Sequence, residues 1–439
     1  MLVLKFGGTS VGSAARIKEV AGLINNPDKK IVVLSAMSGT TNSLVEIADY
    51  LYKKNNDSAN EAIVELEKKY YLVVDELFVS AEYKEKGNEL IKSHFNYIRS
   101  FTQDMFTLFE EKAILAQGEL LSTALMHYYL TEQQIDSVLI PALNFMRTDK
   151  DGEPDQFYIK ENLNREIANY PDHTLLITQG FICRNAFGEI DNLKRGGSDY
   201  SASLIGVACD ASEIQIWTDI DGMHNNDPRY VENTKPLASL SFDEAAELAY
   251  FGAKILHPAS VQPCKVANIP VRLKNTMQPE AEGTLISINS NSKGIKAIAV
   301  KDGITAIKIK SGRMLLAHGF MRKVFEIFET YKTSIDMITT SEVAVSVTID
   351  DTKYLKDIVD ELKKYGTVEV DENLSIICVV GDFISESKGY ALKIFGALKD
   401  ISIRMISYGG SMHNVSLLVN TSDKIEALNS LNDNLFDHV

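Results

Sequence analysis

The first apolar segments of the chain change from the period of a strand to that of a helix and back. Leu2 to Phe6 is an apolar run that stops at Gly7-Gly8, and Ser13 then precedes apolar positions with helical spacing. Those positions are Ile17, Val20, Ala21 and Ile24. A continuous apolar run, Ile31 to Ser35, follows. This strand–helix–strand order predicts parallel pairing and an α/β sandwich.

Residues from about 42 to 130 have a mostly helical pattern, and strand-type runs then return at Ser137–Pro141, Thr174–Thr178 and Glu213–Thr218. We therefore expect residues 1–290 to form one α/β domain, a three-layer sandwich around a mainly parallel sheet. The polar stretch Ser287 to Gly294 is typical of a linker.

The C-terminal residues repeat a different pattern. A strand–helix–strand–strand–helix–strand order, which is the ferredoxin-like arrangement, begins near Ile304 and begins again near Leu374. The second copy lacks its last strand, and Ile295 to Val300 is a candidate to supply it. In that case the first copy would be an insertion in the second. We expect two α+β domains at 303–372 and 373–439, the second completed by the strand 294–302.

Length and charge narrow the functional classes. The 439 residues suggest about three domains at roughly 150 residues per domain. The net charge of −15 argues against nucleic acid and anionic membranes as partners, so anionic ligands need local cationic pockets. The four cysteines form no CxxC pair or cluster with histidine, which argues against disulfides and a structural metal site. No run reaches the length of a membrane span, and we expect a cytoplasmic protein.

Two glycine pairs follow basic residues. In Lys5-Phe6-Gly7-Gly8-Thr9-Ser10 the glycines come after a strand, where a backbone can approach an anion at the start of the next helix. In Lys194-Arg195-Gly196-Gly197-Ser198-Asp199 an arginine able to grip a carboxylate precedes them, and Ser198 or Asp199 is expected to cap a helix. Each motif taken alone is equally compatible with a structural turn.

Three further motifs lie near element ends. The block from Thr218 to Arg229 follows a strand, where open α/β sheets form ligand crevices, and its spacing does not fit an EF-hand calcium loop. Gly118-Glu119 puts a carboxylate at the start of a helix. Gly252 to Pro258 puts Lys254 where a helix ends. The simpler readings are a surface glutamate and a cation at a helix C-terminus.

In this order the motifs resemble those of aspartokinases of the amino acid kinase family, over essentially the whole chain. The matching segments are KFGGTS, SGTTN at Ser38–Asn42, Gly118-Glu119, RGGSD, the TDIDG…DPR block and FGAKILHP. The C-terminal tandem is similar to the paired ACT domains of that family. The resemblance implies transfer of the γ-phosphoryl of ATP, with Mg²⁺, to the side-chain carboxylate of L-aspartate. The product would be 4-phospho-L-aspartate, in the first step of lysine, threonine and methionine biosynthesis.

The resemblance also implies a role for each matching residue. The catalytic group would be Lys5, Gly7, Gly8 and Asp199. The aspartate site would contain Thr41, Glu119, Arg195 and Ser198. The nucleotide would be bordered by Lys5, Gly8, Thr218, Asp219, His224, Asp227, Arg229 and Lys254. One departure is His224, where the family commonly has tyrosine, so nucleotide contacts there are in question.

Catalysis is expected to depend on positioning the two substrates and on stabilising the negative charge of the phosphoryl group with cations. The acceptor carboxylate is already ionised at neutral pH, so no general base is needed. The barrier is the repulsion between two anions, which Lys5, Mg²⁺ and backbone N–H groups would lower. Arg195 would hold the α-carboxylate of aspartate and Glu119 its α-ammonium. We expect Asp199 to organise lysines rather than to act as a base.

The C-terminal half resembles that of the lysine-sensitive, single-function class. The implied effector residues are Met314, His318, Gly319, Phe320, Ser334, Asp336, Ser341 and Glu342, and the two acids suit a cationic amino acid. Feedback inhibition by L-lysine and a homodimer or homotetramer formed through the ACT domains are implied. The alternatives are a sibling amino acid kinase and a non-catalytic sensor with a degenerate kinase domain, against which the intact Lys5, Arg195 and Asp199 argue.

Overall fold

The computed structural model describes residues 1–103, 105–193, 196–252, 256–288, 294–312, 319–382 and 388–436. The chain divides into two compact units. The first comprises Met1–Met223, Ala238–Phe242 and Ile255–Asn289, and the second comprises His224–Leu237, Asp243–Lys254 and Ser290–Val439. The domain limits expected from the sequence differ from this division in the segments 224–237 and 243–254, and they stay a prediction.

An eight-stranded sheet forms the centre of the first unit. Its strands are β1 (Leu2–Phe6), β2 (Lys30–Leu34), β3 (Val138–Leu139), β4 (Leu175–Gln179), β7 (Glu213–Thr218), β8 (Ser239–Ser241), β9 (Val271–Asn275) and β10 (Thr284–Ser287). They lie in the order β3-β4-β2-β1-β7-β9-β10-β8, and every neighbouring pair except β9–β10 is parallel. A hairpin of β5 (Ile182–Arg184) and β6 (Ile190–Asn192) stands apart from this sheet. The mainly parallel α/β fold expected from the sequence is confirmed.

Helices make up most of the rest of the first unit. They are α1 (Ala14–Ile24), α2 (Thr40–Tyr52), α3 (Asn56–Leu77), α4 (Ala81–Ser100), α5 (Leu108–Leu115), α6 (Gln117–Glu132), α7 (Gln156–Ala168), α8 (Gly197–Ala208) and α10 (Pro258–Ala267). The Ser13 side chain caps α1 by accepting from the N–H of Arg16, and the four predicted apolar positions of that helix are buried. They belong to a core that also contains apolar side chains of β1, β2 and α2 to α6.

A six-stranded sheet forms the centre of the second unit. Its strands are β11 (Gly294–Lys310), β12 (Ile338–Thr340), β13 (Ala344–Ile349), β14 (Thr367–Asp382), β15 (Ile403–Tyr408) and β16 (Asn414–Asn420), in the order β12-β13-β11-β14-β16-β15. Its helices are α9 (Phe242–Tyr250, with Phe242 in the first unit), α11 (Phe320–Thr330), α12 (Leu355–Leu362), α13 (Tyr390–Ala397) and α14 (Lys424–Leu435).

The two long central strands run through both halves of this sheet. Residues 305–310 of β11 pair with β13, and 306–310 also pair with the start of β14, whereas residues 294–301 pair with 376–382 of β14. The register shifts after Lys301, and Gly303 adopts a left-handed φ of 75° there. Each half has its own apolar core, one with α11 and α12 and the other with α13 and α14. The pairing of 294–301 is the one expected if this strand completes the second ferredoxin-like copy.

The described part of the chain was also compared with the expectations on membrane spans and disulfides. None of its helices combines the length and the apolar character needed to cross a bilayer. All four cysteines are free thiols, and burial raises the pKa of Cys183 to about 12.

Candidate active site

The carboxyl ends of four parallel strands meet at one edge of the first sheet. Phe6 of β1 is level with Leu34 of β2 and with Trp217 of β7, and Leu34 is level with Gln179 of β4. The loops that follow these strands therefore leave the sheet side by side. They carry the predicted residues of KFGGTS, SGTTN and the TDIDG block.

Lys5 and Asp199 form an ion pair at this edge. Lys5 Nζ lies 2.7 Å from Asp199 Oδ1, and the two side chains are only 11% and 16% exposed. A Cβ added to Gly7 would lie 3.5 Å from Lys5 Nζ, so glycine keeps the space beside the ammonium clear. The carboxylate of Asp199 thus holds Lys5 in one position next to the glycine loop.

Gly8 allows the loops after β1 and β2 to touch through their backbones. A Cβ on Gly8 would lie 2.9 Å from the Ala36 carbonyl oxygen, and the Ser38 N–H donates to the Gly8 carbonyl oxygen at 3.1 Å. The Gly7 N–H is already donated to the Trp217 carbonyl oxygen. Phosphate contacts from this loop would therefore fall to Gly8 and the residues after it.

Glu119 is a buried carboxylate, not the surface glutamate of the simpler sequence reading. It is 4% exposed, and its Oε1 accepts a hydrogen bond from the Ala36 N–H at 3.2 Å. Its Oε2 is buried and has no hydrogen-bond partner among the described residues. Burial raises the pKa of Glu119 to about 8, although the Ala36 N–H and the charge of Lys5 act in the opposite direction. Such a carboxyl group favours a cationic partner.

Gly118 explains how Glu119 reaches the loop after β2. A Cβ on Gly118 would lie 2.7 Å from the Cβ of Ala36, so α6 can approach this loop closely only with glycine at that position. The Ser122 hydroxyl, one turn further along α6, donates to the Ser35 carbonyl oxygen at 2.7 Å. Two contacts thus fix the start of α6 against the end of β2.

Ser198 lies against the loop after β4. It is 8% exposed, and a Cβ on Gly180 would lie 2.4 Å from the Ser198 Cβ. Phe181, which follows Gly180, has a φ of 64°, and its N–H donates to the hydroxyl of Ser201 at 2.8 Å. The first turn of α8 is therefore fixed to the end of β4, with Asp199 directed to Lys5.

The expectation that Ser198 or Asp199 caps α8 is wrong. The helix begins at Gly197, and its N-cap is Gly196 with a φ of 64° and no capping side chain. A Cβ on Gly196 would lie 1.7 Å from the Ser260 hydroxyl, so close packing requires glycine at the cap. Because the cap falls two residues earlier than expected, both polar side chains lie within the first turn. Arg195 lies outside the described residues.

Thr41 is exposed in the first turn of α2, whose N-cap is Gly39. Its neighbour Thr40 is buried and forms a hydrogen bond with the Tyr70 hydroxyl at 3.0 Å. Thr41 is thus available to a ligand, whereas Thr40 stabilises the helix bundle.

The predicted nucleotide-bordering residues are divided between the two units. Thr218 and Asp219 belong to the first unit, where the Thr218 hydroxyl donates to Asp219 Oδ1 at 3.0 Å. Their neighbour Gly222 has a φ of 117°, and a Cβ there would lie 2.5 Å from the Thr284 hydroxyl.

The other three described members, His224, Asp227 and Arg229, belong to the second unit. His224 Nδ1 is 2.8 Å from the Thr234 hydroxyl. Burial acts to raise the pKa of Asp227, but hydrogen bonds and the charge of Arg229 outweigh it, so this pKa is lowered. Lys254 lies outside the described residues.

Four of the predicted effector residues, Ser334, Asp336, Ser341 and Glu342, flank strand β12 along the chain. Asp336 precedes this strand, and its side chain is 1% exposed, whereas Ser334, Ser341 and Glu342 are exposed. Phe320 begins α11 after the N-cap Gly319. Met314 and His318 lie outside the described residues.

Comparisons with known proteins show the family to which this chain belongs. The model of the amino acid kinase family matches residues 1–275, which is more than half of the chain, and an ACT domain model matches residues 377–435. This chain belongs to the amino acid kinase family.

The relatives of this family member are aspartokinases. It is 34% identical to the lysine-sensitive aspartokinase 3 of Escherichia coli over an alignment of 461 positions, gaps included, which covers 100% of this chain and 99% of that protein. It is also 34% identical to the chloroplastic aspartokinase 1 of Arabidopsis thaliana over 473 residues, covering 99% of this chain and 80% of the relative.

Solved aspartokinase structures share the fold over the full length. The E. coli aspartokinase III complex with lysine and aspartate has a TM-score of 0.85, and the complex with aspartate and ADP has a TM-score of 0.82. Both are 33% identical to this chain, and the match covers 100% of each chain.

The structure also reveals contacts that the sequence motifs did not indicate. The N–H of Ala36 binds Glu119, and the Ser10 hydroxyl bonds to the Thr276 hydroxyl at 2.7 Å. In the second unit, Lys301 and Tyr250 both contact Asp336. No local pattern distinguishes these residues, because each acts through a partner at least 35 residues away in the chain.

Proposed function

We propose that this kinase phosphorylates the side-chain carboxylate of L-aspartate with ATP. The observation that supports the proposal is one edge of the sheet that carries both a fixed cation and a buried carboxyl group. Lys5, held by Asp199, offers a fixed cation beside a glycine loop, and the buried Glu119 offers an unpartnered carboxylate oxygen. The first fits a phosphoryl group and the second an α-ammonium group.

The substrate would bind by its two α-substituents. Glu119 Oε2 would accept hydrogen bonds from the α-ammonium, which would offset the cost of ionising a buried carboxyl group. Arg195 would hold the α-carboxylate, and Thr41 and Ser198 would supply hydroxyls. Aspartate would thus be fixed at one end, and its side-chain carboxylate would be free to reach the phosphoryl group.

The reaction would proceed by direct displacement. An oxygen of the aspartate side-chain carboxylate forms a bond to the γ-phosphorus as the bond to the β,γ-bridging oxygen breaks, and ADP leaves with that electron pair. No proton has to be removed from the acceptor. Lys5 and the N–H groups of Gly8 and the residues after it would stabilise the charge on the transferring group.

Magnesium would enter with the nucleotide. In the described part of the chain, the group of three acidic or histidine side chains close enough to hold an ion is Glu244, Asp382 and His413, which belongs to the second unit. Among the described residues at the sheet edge that carries Lys5 and the glycine loop, there is no such group. Magnesium commonly keeps phosphate and water ligands with one or two carboxylates. Carboxylates at this edge include Asp199, which is paired with Lys5, and Asp219, two residues after Trp217. The ion would supply positive charge to the phosphates when bound.

The second unit would make the enzyme sensitive to L-lysine. Asp336 and Glu342 would recognise a cationic effector, together with Gly319, Phe320, Ser334 and Ser341. The E. coli relative is named lysine-sensitive, and one of its structures contains lysine and aspartate. We further propose a cytoplasmic homodimer or homotetramer formed through the ACT domains, acting at the first step of lysine, threonine and methionine biosynthesis.

An acyl phosphate assay tests the catalytic proposal. Purified protein with ATP and Mg²⁺ is expected to form a hydroxylamine-reactive product with L-aspartate, and not with L-glutamate or carbamate. Reaction with glutamate or carbamate instead of aspartate would indicate a sibling kinase, and reaction with none of them would favour a non-catalytic sensor.

The variant Lys5→Ala tests the role of the fixed cation. We expect at least a hundred-fold loss of kcat, by analogy with the loss of one electrostatic group in a preorganised site. Lysine binding measured by calorimetry should persist. Lys18→Ala, which removes an exposed lysine of α1 that binds the Glu76 carbonyl oxygen, is the matched control. Full activity of Lys5→Ala would contradict the assignment.

A further inference from the structure

The carboxylate proposed to bind the effector already has an internal cation. Lys301 Nζ lies 2.7 Å from Asp336 Oδ1 and 2.8 Å from Asp350 Oδ2. The Tyr250 hydroxyl donates to the same Asp336 Oδ1 at 2.9 Å. Lys301 Nζ also lies 4.7 Å from the centre of the Tyr250 ring, a cation–π contact. All four residues belong to the second unit.

These groups cover the carboxylate from solvent. The side chain of Asp336 is 1% exposed, whereas that of Lys301 is 18% exposed and Tyr250 is 45% exposed. The Oδ2 atom of Asp336 is buried without a hydrogen-bond partner among the described residues. An ammonium group arriving from solvent would therefore meet Lys301 and Tyr250 first.

Tyr250 also connects this cluster to a helix. It is the last residue of α9. Two other residues on the same helical face, Glu244 and Glu247, contact the six-stranded sheet of the second unit and the loop before β16. Glu244 forms a buried ion pair with Lys296 at 2.8 Å, and Glu247 accepts hydrogen bonds from Ser411 at 2.8 Å and from Asn414. The C-terminal end of α9 is thus attached through Tyr250 to Asp336.

We infer that Lys301 and Tyr250 act as an internal substitute for the effector, which a cationic amino acid must displace from Asp336 in order to inhibit. The Lys301 ammonium is chemically the same group as the end of a lysine side chain. Displacement would release the C-terminal end of α9, and Lys254 of the nucleotide-bordering motif lies four residues further along the chain. The competition would set the effector concentration at which inhibition begins. This inference rests on the proposed lysine sensitivity.

The variant Tyr250→Phe gives the sharpest test. It removes the hydroxyl and keeps the ring that contacts Lys301 and Phe251. Inhibition curves are normalised to each enzyme's own rate without lysine. We expect the half-inhibitory lysine concentration of the variant to be three- to ten-fold lower than that of the wild type, and the lysine Kd measured by calorimetry to fall by the same factor. The KM for aspartate without lysine should not follow this shift. Tyr354→Phe, at another partly exposed tyrosine of the second unit, is the matched control.

A second variant and a wild-type measurement separate the possible failures. Lys301→Gln, checked for folding by circular dichroism, should also lower the lysine concentration required. An unchanged or raised concentration in a folded Tyr250→Phe enzyme would overturn the internal substitute and leave lysine sensitivity intact. Absence of lysine binding and inhibition in the wild type would instead reject the proposed regulation. In the wild type, lysine should increase amide hydrogen exchange at residues 248–252, and unchanged exchange there would contradict release of α9.

Discussion

Replacement of Glu119 by glutamine provides the most direct test of the substrate site. The substitution keeps the size of the side chain and an oxygen that can accept from the Ala36 N–H, but it removes the negative charge. The α-ammonium of aspartate would then be buried without a counter-ion. The mutation should therefore weaken aspartate binding far more than it affects the fold.

The size of the effect follows from the burial of Glu119. Removing one partner of a buried charge pair costs about 2–5 kcal/mol. At about 1.4 kcal/mol per factor of ten, the KM for aspartate should rise by roughly thirty-fold or more. The KM for ATP should change little, because the proposed contact of Glu119 is with the other substrate.

The pH dependence gives an independent readout. Because the pKa of Glu119 is raised to about 8 in the free enzyme, binding of an ammonium group below pH 8 requires loss of a proton from the carboxyl group. The KM for aspartate should therefore fall by up to about ten-fold per pH unit between pH 6 and pH 8 and then level off. This slope should disappear in Glu119→Gln.

The same pKa shift predicts a change in stability. Between the ordinary pKa of 4.5 and the raised value of about 8, the folded protein retains a proton that the unfolded chain has lost. The free energy of unfolding should therefore decrease as the pH rises through this window, by at most about 1.4 kcal/mol per pH unit. Glu119→Gln should lack this contribution and be relatively more stable at pH 8 than the wild type.

Steady-state kinetics from pH 6 to pH 9 and urea unfolding at pH 6 and pH 8 measure these effects. Glu213→Gln, which removes a carboxylate paired with Arg272 in the same unit, is the matched control and should keep the wild-type pH slope of KM. A Glu119→Gln enzyme with wild-type KM and an unchanged slope would refute the assignment of Glu119 to the α-ammonium.

Four further substitutions follow from the contacts. Gly180→Ala, whose Cβ would lie 2.4 Å from that of Ser198, should cost about 1–3 kcal/mol of stability and raise the KM for aspartate; Gly22→Ala, where no atom lies within 4 Å of the added Cβ, should instead stabilise α1 by up to about 1 kcal/mol in urea unfolding. Asp199→Asn should lower kcat by about ten- to hundred-fold by releasing Lys5, with little change in lysine binding, and wild-type kcat would contradict its organising role. Asp336→Ala should weaken inhibition in a lysine titration without abolishing catalysis, and unchanged inhibition would exclude Asp336 from the effector site.

Local sequence patterns predicted the elements but not the contacts between them. The strand at Ile31–Ser35 and the helix capped by Ser13 were predictable because periodicity and capping depend on neighbouring residues. The start of α8 was placed two residues too late, because a capping side chain was expected where close packing against Ser260 requires glycine. The burial of Glu119 was not predictable either, because it depends on contact with Ala36, which lies 83 residues away in the chain.

The arrangement of internal cations distinguishes the two ligand sites. Asp336 has Lys301 as a partner, so an effector ammonium gains only the difference between its own contacts and those it displaces. Glu119 accepts one backbone N–H and has no ion pair among the described residues, so an aspartate ammonium would supply a paired counter-charge. In the proposed sites, the first arrangement would produce a threshold for a regulator, and the second would favour binding of a substrate. An enzyme at the start of a pathway benefits from this difference, because substrate would be used at concentrations where the end product does not yet inhibit.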